Sequence, residues 1–199
     1  MDFTLPPDLD ALRLKTRAFV AEHILPVEQD RTNWDAHDNI RLDALDRLRA
    51  KAKAAGLWAP QVPKDWGGMG LPMVGWAALY EEANYSLFGP CVFNCAAPDD
   101  GNMNVLSKRA TDAQKKRWLS PIVAGQVRSA FVMTEPHPGG GSDPGMIKTR
   151  AEKTATGWRI HGHKWFITGA EEASHFILIA RTSALSLIHI SEPTRPERI

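Results

Sequence analysis

Arg128-Ser129-Ala130-Phe131-Val132-Met133-Thr134-Glu135-Pro136-His137-Pro138-Gly139-Gly140-Gly141-Ser142-Asp143-Pro144-Gly145 is where this chain changes character. Residues 128–133 read as a short strand, a run with β-branched and aromatic members. The glycines and prolines behind it read as a turn, since glycine accepts backbone geometries other residues avoid and proline has no N–H to give a ladder. Such a turn lets backbone N–H groups approach a ligand closely, often a phosphate. No helical pattern opens behind it and no Gly-Lys-Ser/Thr follows, which argues against the dinucleotide fingerprint and the P-loop. On residue pattern alone, a flexible turn without function is the favoured reading.

Upstream of this stretch the apolar spacing is helical. Ala11, Leu14, Ala18, Ala21 and Leu25 recur at three- and four-residue intervals, and Pro26 ends or kinks that segment. A second stripe runs Leu42, Leu45, Leu48 and Ala52, with Gly56 as its stop. Residues 59–68 are dense in turn formers, a third helix covers 73–85, and a fourth begins near Gly101 with Met103 and Leu106 inward. Thr111-Asp112-Ala113-Gln114 has capping-box spacing and Gly125 is a second stop. Downstream, residues 147–154, 157–168 and 175–181 read as strands, with turns at Thr156-Gly157 and Gly169. The expected fold class is α+β: an N-terminal α-helical bundle followed by an incomplete, mostly antiparallel β-domain. The expected domains are 1–125, helical, and 126–184, β.

Residues 185–199 fit neither part. Leu185-Ser186-Leu187-Ile188-His189-Ile190-Ser191-Glu192-Pro193-Thr194-Arg195 resembles the conceptual translation of a transposase-type sequencing adapter, and Pro193, Pro196 and the charges that follow suit no strand. The tail is expected to be artefactual, with a natural disordered tail as the alternative.

The composition is that of an ordinary globular chain: 43% hydrophobic and 24% charged over 199 residues. Lys plus Arg (24) nearly balances Asp plus Glu (23), so no global field draws it to nucleic acid or an anionic membrane. No apolar run approaches the roughly 18 residues a membrane span needs. The first residues have neither a basic region nor an apolar core of the secretory kind, so the expected setting is cytoplasmic. Cys91 and Cys95 are too few for a disulfide framework and read as two buried thiols sharing a helix face.

Resemblance changes the weight of the glycine turn. Thr134-Glu135-Pro136, Gly141-Ser142-Asp143 and Lys164-Trp165-Phe166-Ile167-Thr168-Gly169 are similar, in that order, to the signature of the acyl-CoA dehydrogenase family. Ala54-Ala55-Gly56-Leu57-Trp58, Pro63-Lys64-Asp65-Trp66-Gly67-Gly68-Met69-Gly70, Ala97-Pro98-Asp99-Asp100-Gly101-Asn102-Met103 and Gln114-Lys115-Lys116-Arg117-Trp118-Leu119 resemble its N-terminal domain. The likeness spans essentially residues 1–184.

The resemblance implies FAD as cofactor, an acyl-CoA substrate oxidised to the trans-2-enoyl-CoA in fatty acid β-oxidation, an electron-transfer flavoprotein as partner, and a homo-oligomer in the full-length form. It matches Phe131, Val132, Met133 and Thr134 to a flavin-contacting strand, and Phe166, Ile167 and Thr168 to a second one. Ser142 matches a residue lining both the flavin pyrophosphate region and the acyl-CoA entrance. Many relatives carry Trp where this chain has Phe166, and two extra residues separate Pro136 from Gly141. The family's base is a glutamate on a C-terminal helical domain, expected to lie beyond this chain, so no catalytic residue is assigned and the chain alone is expected to be inactive. Acyl-CoA oxidase and flavin monooxygenase, which use dioxygen, share the scaffold and stay open as alternatives, as does a non-catalytic, partly folded module.

Other residues read as structural. His161 and His163 would face one side of a strand without a third metal ligand, and are expected in solvent. His137 is read as a loop residue. Glu81, Glu82, Glu171 and Glu172 are expected as solvated carboxylates, and Trp58, Trp66, Trp118 and Trp165 as core aromatics.

Overall fold

The computed structural model describes residues 4–183, so the adapter-like reading of 185–199 falls outside the described residues. The chain divides into two compact units, Met1–Arg128 and Ser129–Ile199. The first is helical: α1 (Pro7–Phe19), a π-helical turn (Val20–Ile24), α2 (Leu25–Gln29), α3 (Leu42–Ala54), α4 (Met73–Ala83), α5 (Gly89–Val92), α6 (Asp99–Arg109), α7 (Asp112–Gln114), a second π turn (Lys115–Leu119) and α8 (Ser120–Val123). Four strands follow among the described residues, so the α+β class and its order stand as read.

The buried face of α1 differs from the expected one. Ala11, Leu14, Ala18 and Ala21 face solvent, whereas Leu9, Thr16, Phe19, Val20 and Ile24 are buried. Two stripes compete here, and the one with the larger side chains removes more apolar area from water. Thr16 fits the buried face because its hydroxyl donates to Leu12 O at 2.9 Å. Pro26 does not end the helix. The Leu25 N–H reaches back to Val20 O in an i→i−5 bond, and the new turn places Pro26 near its start, where a missing N–H is tolerated.

In α3, Leu45, Leu48 and Ala52 are buried as expected, while Leu42 at the first position is 77% exposed. Gly56, at φ +70°, closes the helix: its N–H bonds Lys53 O and the Leu57 N–H bonds Ala52 O, a Schellman pair that only a left-handed residue allows. Gly125, at φ +74°, closes α8 in the same way through Ile122 O and Pro121 O. The Thr111–Gln114 capping box is present, with Thr111 N–H donating to Gln114 Oε1 at 2.8 Å and Gln114 N–H to Thr111 Oγ1 at 3.3 Å. α6 starts at Asp99, two residues before Gly101, and Met103 is buried on it with Leu106 packed beside it.

Glu82 on α4 overturns the expectation of a solvated carboxylate. It is 1% exposed and takes Arg17 in a two-pronged grip, Nε to Oε2 and Nη2 to Oε1, both 2.8 Å, with Arg13 Nη1 at 3.0 Å from Oε1. The pairing fastens α1 to α4. Burial pushes the Glu82 carboxyl up, but the arginine hydrogen bonds hold it below its usual range. The two thiols differ from expectation as well. α5 ends at Val92, leaving Cys91 half-buried on it and Cys95 buried beyond it, where burial pushes the thiol far up.

Two apolar clusters hold the helical unit. One gathers Phe19, Val20, Ile24, Leu45, Leu48, Leu57, Leu79, Val92 and Phe93. The other centres on Trp58, Val62, Met103, Leu119, Ile122 and Val123, with Trp58 Nε1 donating to Val123 O at 2.8 Å. Trp66 and Trp118 are half-buried.

In the second unit, β1 (Arg128–Val132) pairs with β4 (Ala173–Leu178), and β2 (Arg150–Thr154) pairs antiparallel with β3 (Gly157–His161). The β2–β3 register runs from Arg150↔His161 to Thr154↔Gly157, so the turn falls at Ala155-Thr156. β3 stops at His161 and does not continue to 168. A Cβ on Gly162 would lie 2.2 Å from Thr149 Oγ1, so the chain passes hard against Thr149 there, and Phe166 takes a left-handed φ of +49°, which no extended strand contains. β2 begins three residues later than expected and β4 ends at Leu178, short of Arg181.

Candidate functional site

Glu135 organises the second unit. Its N–H donates to Gly141 O at 3.0 Å, closing the glycine turn back onto the end of the β1 segment. Its carboxylate, 3% exposed, accepts from Lys148 N–H at 2.6 Å and Thr149 N–H at 2.9 Å. Lys164 Nζ completes the set at 2.9 Å from Oε1, and the same ammonium donates to Met133 O at 2.7 Å. Burial pushes the Glu135 carboxyl up, but hydrogen bonds from Thr149, Lys148 and Lys164 overcome this and hold it at about 2. It is a carboxylate at every physiological pH.

These bonds bring together the segments the sequence singled out. Thr134 O accepts from Trp165 N–H at 3.2 Å, so the segment ending at Thr134 meets the one opening at Trp165 through this bond. Ser142 follows directly on Gly141, the bridge partner of Glu135, and is exposed in the turn. Phe131, Met133, Thr134 and Ile167 are half-buried, Val132 is buried, and Thr168 is exposed. Phe166 is 82% exposed, with the Trp165 ring tilted against it at 4.7 Å between ring centroids. Trp165, expected in the core, is instead 42% exposed and packs on this exposed neighbour.

Whether this edge suits a flavin can be judged from its donors. Among the described residues neither the Thr134 N–H nor its hydroxyl has a hydrogen-bond partner, and both are reachable because Thr134 is only half-buried. An exposed aromatic ring stands next to the residue that bonds Thr134. Two unclaimed donors beside a bare ring suit a planar heteroaromatic with acceptor atoms on its rim, so the residues fit the isoalloxazine of FAD.

A hollow of about 800 Å³ beside the turn lies elsewhere. It is lined by Pro136, His137, Lys148, Arg150, Glu152, Arg159, His161 and His163 among others, and by none of the proposed flavin contacts. Successive side chains of an extended segment point to opposite sides, and the hollow sits on the Glu135 side rather than the Thr134 side. The hydrogen-bonded convergence at Thr134 is the stronger pointer, since it joins residues far apart in sequence with open donors. His161 and His163 are exposed at this hollow, as expected. Among the described residues no group of three or more His, Cys, Asp or Glu could hold a metal, and no helix is long and apolar enough to cross a membrane.

Sequence reasoning gave Glu135 and Lys164 no role of their own. No local signal marks either one: Glu135 sits between Thr134 and Pro136, Lys164 between His163 and Trp165, and their pairing depends on a distant return of the chain.

Comparison with known proteins matches residues 6–126 to the acyl-CoA dehydrogenase N-terminal domain and residues 130–192 to the acyl-CoA dehydrogenase middle domain. The chain is 35% identical over 182 residues to human acyl-CoA dehydrogenase family member 11, covering 87% of this chain and 23% of that protein. It is 33% identical over 184 residues to Probable acyl-CoA dehydrogenase FadE2 of Mycobacterium tuberculosis, covering 90% and 44% respectively. A solved structure from Mycobacterium abscessus, described as an acyl-CoA dehydrogenase, superposes with a TM-score of 0.80 at 34% identity, over 92% of this chain and 48% of that one. The chain thus spans between 23% and 48% of the length of these three proteins.

Proposed function

The chain belongs to the acyl-CoA dehydrogenase family, and on that footing we propose that the protein oxidises an acyl-CoA thioester to the trans-2-enoyl-CoA with FAD. FAD would supply a two-electron acceptor at the ring edge, taking the β-hydride as a carboxylate removes the α-proton. The observation that carries the reading is the edge at Thr134, with its free N–H and hydroxyl beside the exposed Phe166.

Each segment then has a task. Thr134 directs two donors at the flavin rim, where reduction adds electron density. Phe131, Val132 and Met133 carry that strand, while Phe166, Ile167 and Thr168 form the opposing wall. Ser142, exposed on the turn, faces the pyrophosphate region and the acyl-CoA entrance. No residue here is assigned as the base, which on this reading is a glutamate of a C-terminal helical domain. Electrons would leave to an electron-transfer flavoprotein, and the assembled protein would be a homo-oligomer. The domain limits that go with this reading are 1–125 and 126–184.

The test is anaerobic incubation of the full-length protein with a panel of acyl-CoA thioesters of differing chain length and branching. A trans-2-enoyl-CoA product, with slow reoxidation of the flavin in air, supports the reading. Rapid reoxidation with consumption of dioxygen would move the assignment to an acyl-CoA oxidase or monooxygenase.

A further inference from the structure

We infer that the buried Glu135–Lys164 pair tunes the flavin-facing edge: Lys164 polarises the Met133–Thr134 peptide so that the Thr134 N–H donates more strongly, and Glu135 positions Lys164 while offsetting its charge. This rests on Thr134 being a flavin contact. Glu135 and Lys164 touch neither substrate nor cofactor in this scheme and are positioning residues.

The argument starts from one peptide group. Met133 O and the Thr134 N–H belong to the same trans peptide, so they point in opposite directions. Lys164 Nζ sits 2.7 Å from the oxygen end, while the N–H end has no partner among the described residues. An ammonium donating to an amide oxygen draws density through the amide and strengthens its N–H as a donor, by about 10–30% for one bond in a chain. The Lys164 and Glu135 side chains are only 9% and 3% exposed, so solvent screens little of either charge.

The pair is asymmetric. Glu135 is anchored without Lys164, through the Lys148 and Thr149 amides at 2.6 and 2.9 Å. Lys164 is placed by Glu135, and by Gly162, whose missing Cβ lets the segment lie against Thr149. The carboxylate therefore does two things at once. It fixes the ammonium on the Met133 carbonyl and reduces the positive potential felt at the ring edge.

A purely structural pair makes a different prediction. If it only fastens 133–135 to 164–165, removing either member loosens the same edge and both variants change the flavin in the same sense. Tuning predicts opposite senses. Lys164→Met loses the positive charge and the polarised donor, so reduced flavin is less stabilised and the midpoint potential falls. Glu135→Gln leaves the lysine charge without its counterion, so the potential rises. Lys164→Arg keeps the charge and stays close to wild type.

The experiment is a reductive titration of the FAD-loaded full-length protein and these variants, with bound FAD per chain measured separately. The double variant Glu135→Gln/Lys164→Met removes both charges without stranding either, and keeps the test readable where a single variant does not fold. Its potential should lie below wild type and above Lys164→Met. A second readout needs no flavin: in protein labelled with ¹⁵N-threonine, the Thr134 amide proton should move upfield in Lys164→Met or the double variant and stay in place in Lys164→Arg. Potentials that move together in both single variants, a double variant equal to wild type, or an unmoved Thr134 amide would overturn the inference. A full-length wild type that binds no FAD would overturn the flavin reading beneath it.

Discussion

Glu135 is the residue on which the second unit turns, and its acid behaviour follows from its surroundings. Its carboxyl is held at about 2 against an ordinary 4.5 because the hydrogen bonds from Thr149, Lys148 and Lys164 outweigh burial. Between those values the unfolded chain binds the proton and the native one does not, so acid favours unfolding. The stabilisation is complete above pH 4.5 and is lost as pH falls towards 2. Urea unfolding across that window should show a steep acid limb that is shallower in Glu135→Gln, and identical limbs would remove the assignment. Thr134→Val, nearly isosteric, should leave urea stability unchanged while weakening FAD binding roughly two- to twelve-fold, the equivalent of one hydrogen bond of about 0.5–1.5 kcal/mol. An unaltered FAD affinity in that variant would show that the hydroxyl faces no flavin. Resemblance singles out Thr134 in the sequence as a candidate. The Glu135–Lys164 pair was not, because 28 intervening residues separate its members and nothing local reports that the chain returns.

At the scale of elements, local signals were read well and competing faces poorly. The capping box at Thr111 and the stops at Gly56 and Gly125 depend on a few neighbouring residues and stand in the structure as read. The face of α1 depends on what packs against it, and an alanine stripe lost to one with Phe19, Val20 and Ile24. The Glu82 cluster has the same origin, since only the meeting of α1 with α4 tells a buried carboxylate from a solvated one. Glu82→Ala should destabilise the helical unit by about 1.5–3 kcal/mol, the range for hydrogen bonds to a charged group. It should not reach the penalty of a fully stranded ion, because the Arg17 side chain is 54% exposed and regains water. A denaturant midpoint unchanged by Glu82→Ala would contradict this. In the β unit, Gly162→Ala places a methyl 2.2 Å from Thr149 Oγ1 and 2.8 Å from its Cα. Backbone must move to admit it, so a loss of about 1–3 kcal/mol is expected from thermal or urea melts, with weakened FAD retention alongside. A neutral Gly162→Ala variant would mean that the segment reaches Lys164 by another route.

For the whole molecule, the order of helical unit then strands was legible from the change of periodicity at residue 126, and the structure divides after Arg128. What periodicity could not supply was the extent of each strand, because β3 is ended by the close approach of Gly162 to Thr149 and by the left-handed Phe166. On the proposed reading the 199 residues supply one side of the flavin site, and none of them is assigned as the base. Alone they should therefore show no acyl-CoA oxidation, and robust turnover by this chain would contradict that division of labour. The most direct measurement is an anaerobic titration of the full-length, FAD-loaded protein with an acyl-CoA it accepts, following the flavin's visible absorbance. The account predicts bleaching that is complete in wild type and slowed or weakened in Thr134→Val. A flavin left oxidised by every acyl-CoA tried, or a full-length protein that retains no FAD, would contradict it.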